Sequence, residues 1–158
     1  MINIFLSIIL ISLSTFSEPL NKIEGKIVRV IDGDTVIILD SSNDQHRIRL
    51  DGIDAPESGQ PYGNKATEFV KEITREKKIV VEWRKKDRYN RILGVVYADG
   101  MNVNKALLEN GLAWHYKFFN NDADLAKLEL QARKVKLNIW SETNPVEPYL
   151  WRKNKKKK

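Results

Sequence analysis

The sequence predicts an α+β fold: five short antiparallel strands with about three helices inserted and appended. Three observations predict it. A chain of 158 residues, 42% hydrophobic, suits one domain with a real core. Short β-branched runs bounded by Asp-Gly and other turn residues recur through its first two thirds. Between and after them the apolar period changes from two to three or four. This pattern suits a small barrel and an open sheet equally.

Taken in order, residues 20–31 read as a strand with Ile23, Ile27, Val28 and Ile31 as apolar positions. Residues 36–39 (Val-Ile-Ile-Leu) form a second strand. In residues 47–50, Ile48 and Leu50 alternate with Arg47 and Arg49 as a third. Residues 40–44 (Asp-Ser-Ser-Asn-Asp) are a turn by composition. With the turn centred on Ser42 and Asn43, antiparallel pairing sets Asp34 opposite Asp51. Residues 58–63 are loop punctuation. From Asn64, Ala66, Phe69, Val70 and Ile73 fall on one helix face. Residues 78–83 and 92–98 return to strand character, joined by a charged turn over 84–90. Residues 102–110 read as a short helix closed by Gly111. An aromatic-rich connection over 112–120 follows. Asn121 then caps a helix running to about Lys136, with Leu125, Leu128, Ala132 and Val135 as its core stripe. Residues 143–158 divide into a Pro-containing loop and a like-charge run, Arg152 to Lys158, expected to be disordered. The compact domain is expected over residues 20–142.

The net charge of +6 points to a polyanionic partner. The chain has no cysteine, which excludes disulfides, thiolate nucleophiles, Cys-ligated metals and lipid attachment at cysteine. Residues 1–17 carry no charged side chain, and residues 4–13 are nearly all apolar. That run is shorter than the ~20 residues a spanning helix needs. It reads as a signal peptide with Thr15-Phe16-Ser17 before the cleavage point, although no Lys or Arg precedes it. An uncleaved N-terminal anchor and an apolar tail are the alternatives. The protein is therefore expected to be secreted or periplasmic, or else tethered, with transient membrane contact through residues 1–17.

The chemistry gathers in residues 29–57. The hairpin brings Asp34, Asp54 and Glu57 to one end, with Arg49 on the strand beside them. Acids this close repel unless a cation sits among them, and an oxygen-only set suits a hard ion such as Ca²⁺. A guanidinium at the margin suits a substrate with a phosphate. Asp51 reads as a structural acid. The two histidines, His46 and His115, offer no imidazole pair, so a two-histidine nuclease mechanism is unattractive.

V-I-D-G-D-T-V, R-L-D-G-I-D-A-P-E, D-R-Y-N-R-I-L-G and L-N-I-W-S-E, in that order, resemble the staphylococcal nuclease (thermonuclease) family from about Glu24 to Glu142. The resemblance implies a five-stranded OB-type barrel and a Ca²⁺-dependent nuclease acting on DNA and RNA, single strands preferred. It implies 3′-phosphorylated products. It carries over Asp34 and Asp54 as metal ligands, with Ala55 contributing a backbone carbonyl where the family often has Thr. Glu57 is implied as general base or water-positioning residue, and Arg49 and Arg91 as phosphate clamps. Arg88, Tyr89 and Tyr116 are further candidates for the nucleotide pocket, since Tyr can bond a phosphate or stack on a base. No protein partner is implied, and a monomer is expected. The alternative is an OB-fold module that binds nucleic acid without cutting. The presence of all five principal side chains argues for chemistry.

Overall fold

The computed structural model describes residues 19–155. The expected signal segment and the last three lysines lie outside the described residues. The strands are β1 (Asn21–Asp32), β2 (Thr35–Asp40), β3 (Gln45–Leu50), β4 (Ile53–Asp54), β5 (Ile79–Lys86), β6 (Ile92–Ala98), β7 (Met101–Asn102) and β8 (Trp114–His115). The helices are α1 (Gly63–Thr74), α2 (Val103–Glu109), α3 (Ala123–Lys134) and α4 (Pro148–Lys155), with a 3₁₀ turn at Asn138–Ser141.

The five long strands lie in the order β3-β2-β1-β5-β6, and a parallel pairing of β3 with β6 closes the ring. Closure settles the choice the strand pattern left open: this is the five-stranded OB-type barrel. β1 makes closure possible by serving two neighbours. Its first residues pair with β5 and its remainder with β2, with register shifts where it bends. Gly25 stands at the changeover, where a Cβ would lie 2.1 Å from the Leu39 carbonyl oxygen. Only glycine lets the two backbones approach so closely.

The β-branched runs fill the barrel: Val36, Ile38, Ile48, Ile79, Val81 and Val96 are buried together. α1 adds Ala66 and Val70 to that core, and α2 adds Val103 and Leu107. α2 is also tied by a buried amide. Asn104 donates to the carbonyls of Asp51 and Gly94 and accepts from the Val96 N–H. It thus satisfies backbone groups beside the β3–β6 seam that would otherwise be costly to bury.

Four details differ from the sequence-based expectations. The hairpin register is one residue off, because Thr35 faces Arg49 and Asp34 bonds Leu50 rather than facing Asp51. The turn is centred on Ser42 rather than between Ser42 and Asn43, with three residues between Asp40 and Asp44 and Asn43 in the left-handed region at φ 65°. The cap of α3 is Asp122, whose carboxylate accepts from Asp124 and Leu125 N–H, not Asn121. Val135 ends outside the helix and is 72% exposed, so it is not part of the core stripe.

A fifth difference bears on function. The expected loop and disordered basic run contain α4. Pro148 starts it and is buried, in keeping with proline at a first helical position. Trp151 and Arg152 are half-buried and the lysines face water. Arg152 finds carboxylates within reach, so its charge is offset rather than repelled.

Candidate active site

Asp34 lies in the turn between β1 and β2, immediately before β2, Arg49 lies near the end of β3, and Asp54 sits in β4. The β4–β8 pairing, Ile53 with His115 and Asp54 with Trp114, holds the Asp54 backbone. All three side chains are buried. The Arg49 guanidinium lies between the carboxylates, 3.1 Å from Asp34 Oδ2 and 2.9 Å from Asp54 Oδ1. It also donates to the carbonyls of Leu50 at 3.0 Å and Ile53 at 2.9 Å. That planar fork is thus fixed by three hydrogen bonds and an ion pair, a geometry lysine cannot reproduce. The Ala55 N–H donates to Asp34 Oδ2 at 2.7 Å.

Glu57 stands in the following loop, partly exposed. Its backbone is clamped by Gln60, whose Oε1 accepts from the Glu57 N–H at 3.0 Å, while the Gln60 N–H donates to the Glu57 carbonyl. The Gln60 amide also donates to the Val146 carbonyl, tying this loop to the segment before α4. Gly63 lets the loop close on α1, since a Cβ there would meet the Glu57 carbonyl oxygen at 2.1 Å.

Arg152 of α4 completes the cluster. It donates to both oxygens of Asp54, at 3.1 and 3.0 Å, and to Glu57 Oε1 at 2.6 Å. Burial works against its charge, but the bonds to Asp54 and Glu57 hold its pKa above the ordinary value. Burial pushes the Asp54 carboxyl up, against the bond from Arg152, and the charge of Asp34 adds to the rise. Asp32, at the end of β1, is pushed up to about 7 by burial and by the charge of Asp34. Its Oδ1 accepts from the Asp34 N–H.

The structure therefore brings Asp34, Arg49, Asp54, Ala55 and Glu57 together. Arg91 is anchored elsewhere. It precedes Ile92, which pairs with Ile48 beside Arg49, but its side chain bonds Asp87 at 2.7 Å. Arg88 and Tyr89 lie in the same β5–β6 turn, where Tyr89 is exposed and both guanidinium groups sit near its ring. Tyr116 is nearer the acids, and its phenol pKa is raised by burial and by the Asp54 charge. Asp51 accepts from its neighbour Gly52 N–H.

Sequence reasoning missed three participants. Asp32 lies within D-G-D-T, whose Asp-Gly pair reads as a turn. Gln60 falls in the loop of residues 58–63, and no local pattern marks it. Arg152 belongs to the like-charge run, and only the path of α4 sets it on the acids.

Among the described residues, no three acidic or imidazole side chains converge so as to hold a metal ion by themselves. The donor set is nevertheless all oxygen, with two buried carboxylates. That chemistry suits a hard cation whose remaining positions are filled by a carbonyl and waters.

A model of the family described as "Staphylococcal nuclease homologue" matches residues 47–142. A relative from Escherichia coli named "Uncharacterized endonuclease" is 46% identical over 143 residues, 89% of this chain and 93% of the relative. "Micrococcal nuclease" from Shigella flexneri is 37% identical, over 84% of this chain and 82% of its own. "Staphylococcal-like nuclease CAN1" from Arabidopsis thaliana is 43% identical over 70% of this chain and 34% of the relative. Barrel, motif order and relatives agree, and the chain belongs to the staphylococcal nuclease family.

Proposed function

We propose that the protein is an exported, Ca²⁺-dependent nuclease that hydrolyses phosphodiester bonds of DNA and RNA and leaves 3′-phosphorylated ends. The family and the relatives' names support nuclease activity. The observation that carries the chemistry is the Arg49 guanidinium fixed between Asp34 and Asp54, with Glu57 joined to Asp54 through Arg152.

Asp34 and Asp54 would hold the cation, with the Ala55 carbonyl beside them. Bound Ca²⁺ would supply positive charge against the scissile phosphate. Glu57 accepts the proton of the attacking water as its oxygen bonds phosphorus. The bond from phosphorus to the 5′ oxygen breaks, and that oxygen takes a proton from solvent. Arg49 stabilises charge growing on the phosphate oxygens, and Arg91 joins it by exchanging Asp87 for substrate. Arg152 and a cation compete for the same oxygens of Asp54.

Hydrolysis of single-stranded DNA is expected with Ca²⁺ and lost with EGTA, as read from product length on a gel. DNA that binds yet stays intact under every metal condition would instead identify a non-catalytic binding module. Export is proposed from the apolar residues 1–17. N-terminal sequencing of the protein recovered outside the cytoplasm should begin near Glu18, and a chain still starting at Met1 in the membrane fraction would indicate tethering.

A further inference from the structure

The family match ends at residue 142, so Arg152 is supplied from outside it. Yet this guanidinium takes hold of the acids themselves. Asp54 Oδ1 accepts from Arg49 at 2.9 Å and from Arg152 at 3.1 Å, and Oδ2 accepts from Arg152 at 3.0 Å. Both oxygens of that carboxylate are therefore bonded to guanidinium groups. A hard cation at Asp54 needs the same oxygens at about 2.3–2.6 Å. It cannot share them with Arg152, because like charges at that range repel. Arg152 also bonds Glu57 Oε1 at 2.6 Å, which occupies the carboxylate that faces the attacking water.

Of the two arginines, Arg152 is the one built to yield. Arg49 is 10% exposed and keeps the Leu50 and Ile53 carbonyls and Asp34 as partners. Arg152 is 37% exposed and bonds only Asp54 and Glu57. Its helix is held firmly at one end. The Gln60 amide donates to the Val146 carbonyl at 2.6 Å just before α4, and Pro148 is buried. Past Pro148 the hold is slight. Tyr149, Leu150, Lys153, Asn154 and Lys155 are exposed, and only Trp151 and Arg152 are half-buried. A helix of eight residues is marginal without tertiary contacts.

We propose that α4 is an autoinhibitory latch, in which Arg152 closes the cation site and a divalent cation expels it, freeing the helix beyond Pro148. The latch rests on the reading of Asp54 as a cation ligand and adds how that site is regulated.

Ca²⁺ binding, read without nucleic acid, tests it. A site open for a fraction of the time has its affinity reduced by that fraction. Isothermal titration should therefore show Arg152→Gln binding Ca²⁺ about tenfold or more tighter than the unaltered protein. Asp54→Asn should remove binding in both backgrounds. Arg152→Lys, which keeps the charge but not the fork, should fall between the two and serves if Arg152→Gln melts early. Amide exchange over residues 149–155, followed by mass spectrometry, should quicken when Ca²⁺ binds the unaltered protein. In Arg152→Gln it should be fast already. Ca²⁺ affinity that is unchanged or weaker in Arg152→Gln overturns the latch and leaves Arg152 as a support of the site. Ca²⁺ binding that leaves exchange over 149–155 unaltered overturns it as well. So does exchange that quickens with single-stranded DNA in EGTA but not with Ca²⁺, which would make substrate the key. If the unaltered protein cuts DNA with Ca²⁺ while Arg152→Gln binds the ion no tighter, the latch alone falls and the nuclease reading stands. If no Ca²⁺ binds at all, both fall.

Discussion

Glu57→Gln is expected to lower kcat on single-stranded DNA by about 10²–10⁴-fold, the range that a positioned general base contributes. The substitution removes basicity and keeps shape. Gln at this position retains an acceptor for the Arg152 bond of 2.6 Å, and the Gln60 clamp uses only backbone atoms of residue 57. Fold and Ca²⁺ affinity should therefore change little, as circular dichroism and calcium titration would show. The loss should appear in kcat with KM nearly constant. A variant retaining a tenth or more of the activity would remove Glu57 from the base role and leave water activation to another group. The loop geometry makes Gln60→Ala a useful companion. It frees the backbone of Glu57 without touching its carboxylate, so the rate should fall by less than in Glu57→Gln.

Arg49 carries the second large effect, and here two consequences must be separated. Arg49→Ala leaves Asp34 and Asp54 buried without the guanidinium between them and leaves two carbonyl acceptors unpaired. Breaking a buried ion pair from one side costs about 3–5 kcal/mol. For a domain of this size that lowers Tm by roughly 10 °C. Loss of activity in that variant would be ambiguous. Arg49→Lys keeps the charge and should retain most of the stability. It cannot reproduce the three hydrogen bonds of the planar fork together with its ion pair to Asp34, and kcat should fall on the order of 10²-fold if the fork stabilises the transition state. A lysine variant that melts normally and cuts at the native rate would show that Arg49 only holds the carboxylates apart.

Much of the fold was legible because the signals are local. Alternation in residues 47–50, the i, i+3, i+4 spacing from Ala66 to Ile73, and Gly111 with its φ of 58° each depend on a few neighbours. The cluster of Asp34, Arg49, Asp54 and Glu57 was legible for a related reason. A single hairpin and the loop after it carry all four, so short-range geometry sufficed, even with the register one residue off. The register itself was misread because turn length depends on Asn43 adopting a left-handed conformation, which composition does not dictate.

The remainder was decided at long range. Barrel closure rests on β3 meeting β6, strands separated by the whole of α1 and β5, and no strand pattern announces a parallel seam. Arg91 belongs to the right motif, yet its side chain bonds Asp87 because that carboxylate is the nearest partner in its own turn. Arg152 makes the point most fully. By sequence it belongs to a run of like charges that should repel and stay solvated. In the folded chain α4 crosses nearly a hundred residues of separation to set that guanidinium on Asp54 and Glu57. The sequence by itself determined the barrel's strands, the acids and the first arginine, since each is specified by near neighbours. Tertiary structure alone decided which second arginine meets those acids and which aromatic side chains stand beside them, because both depend on where distant segments dock.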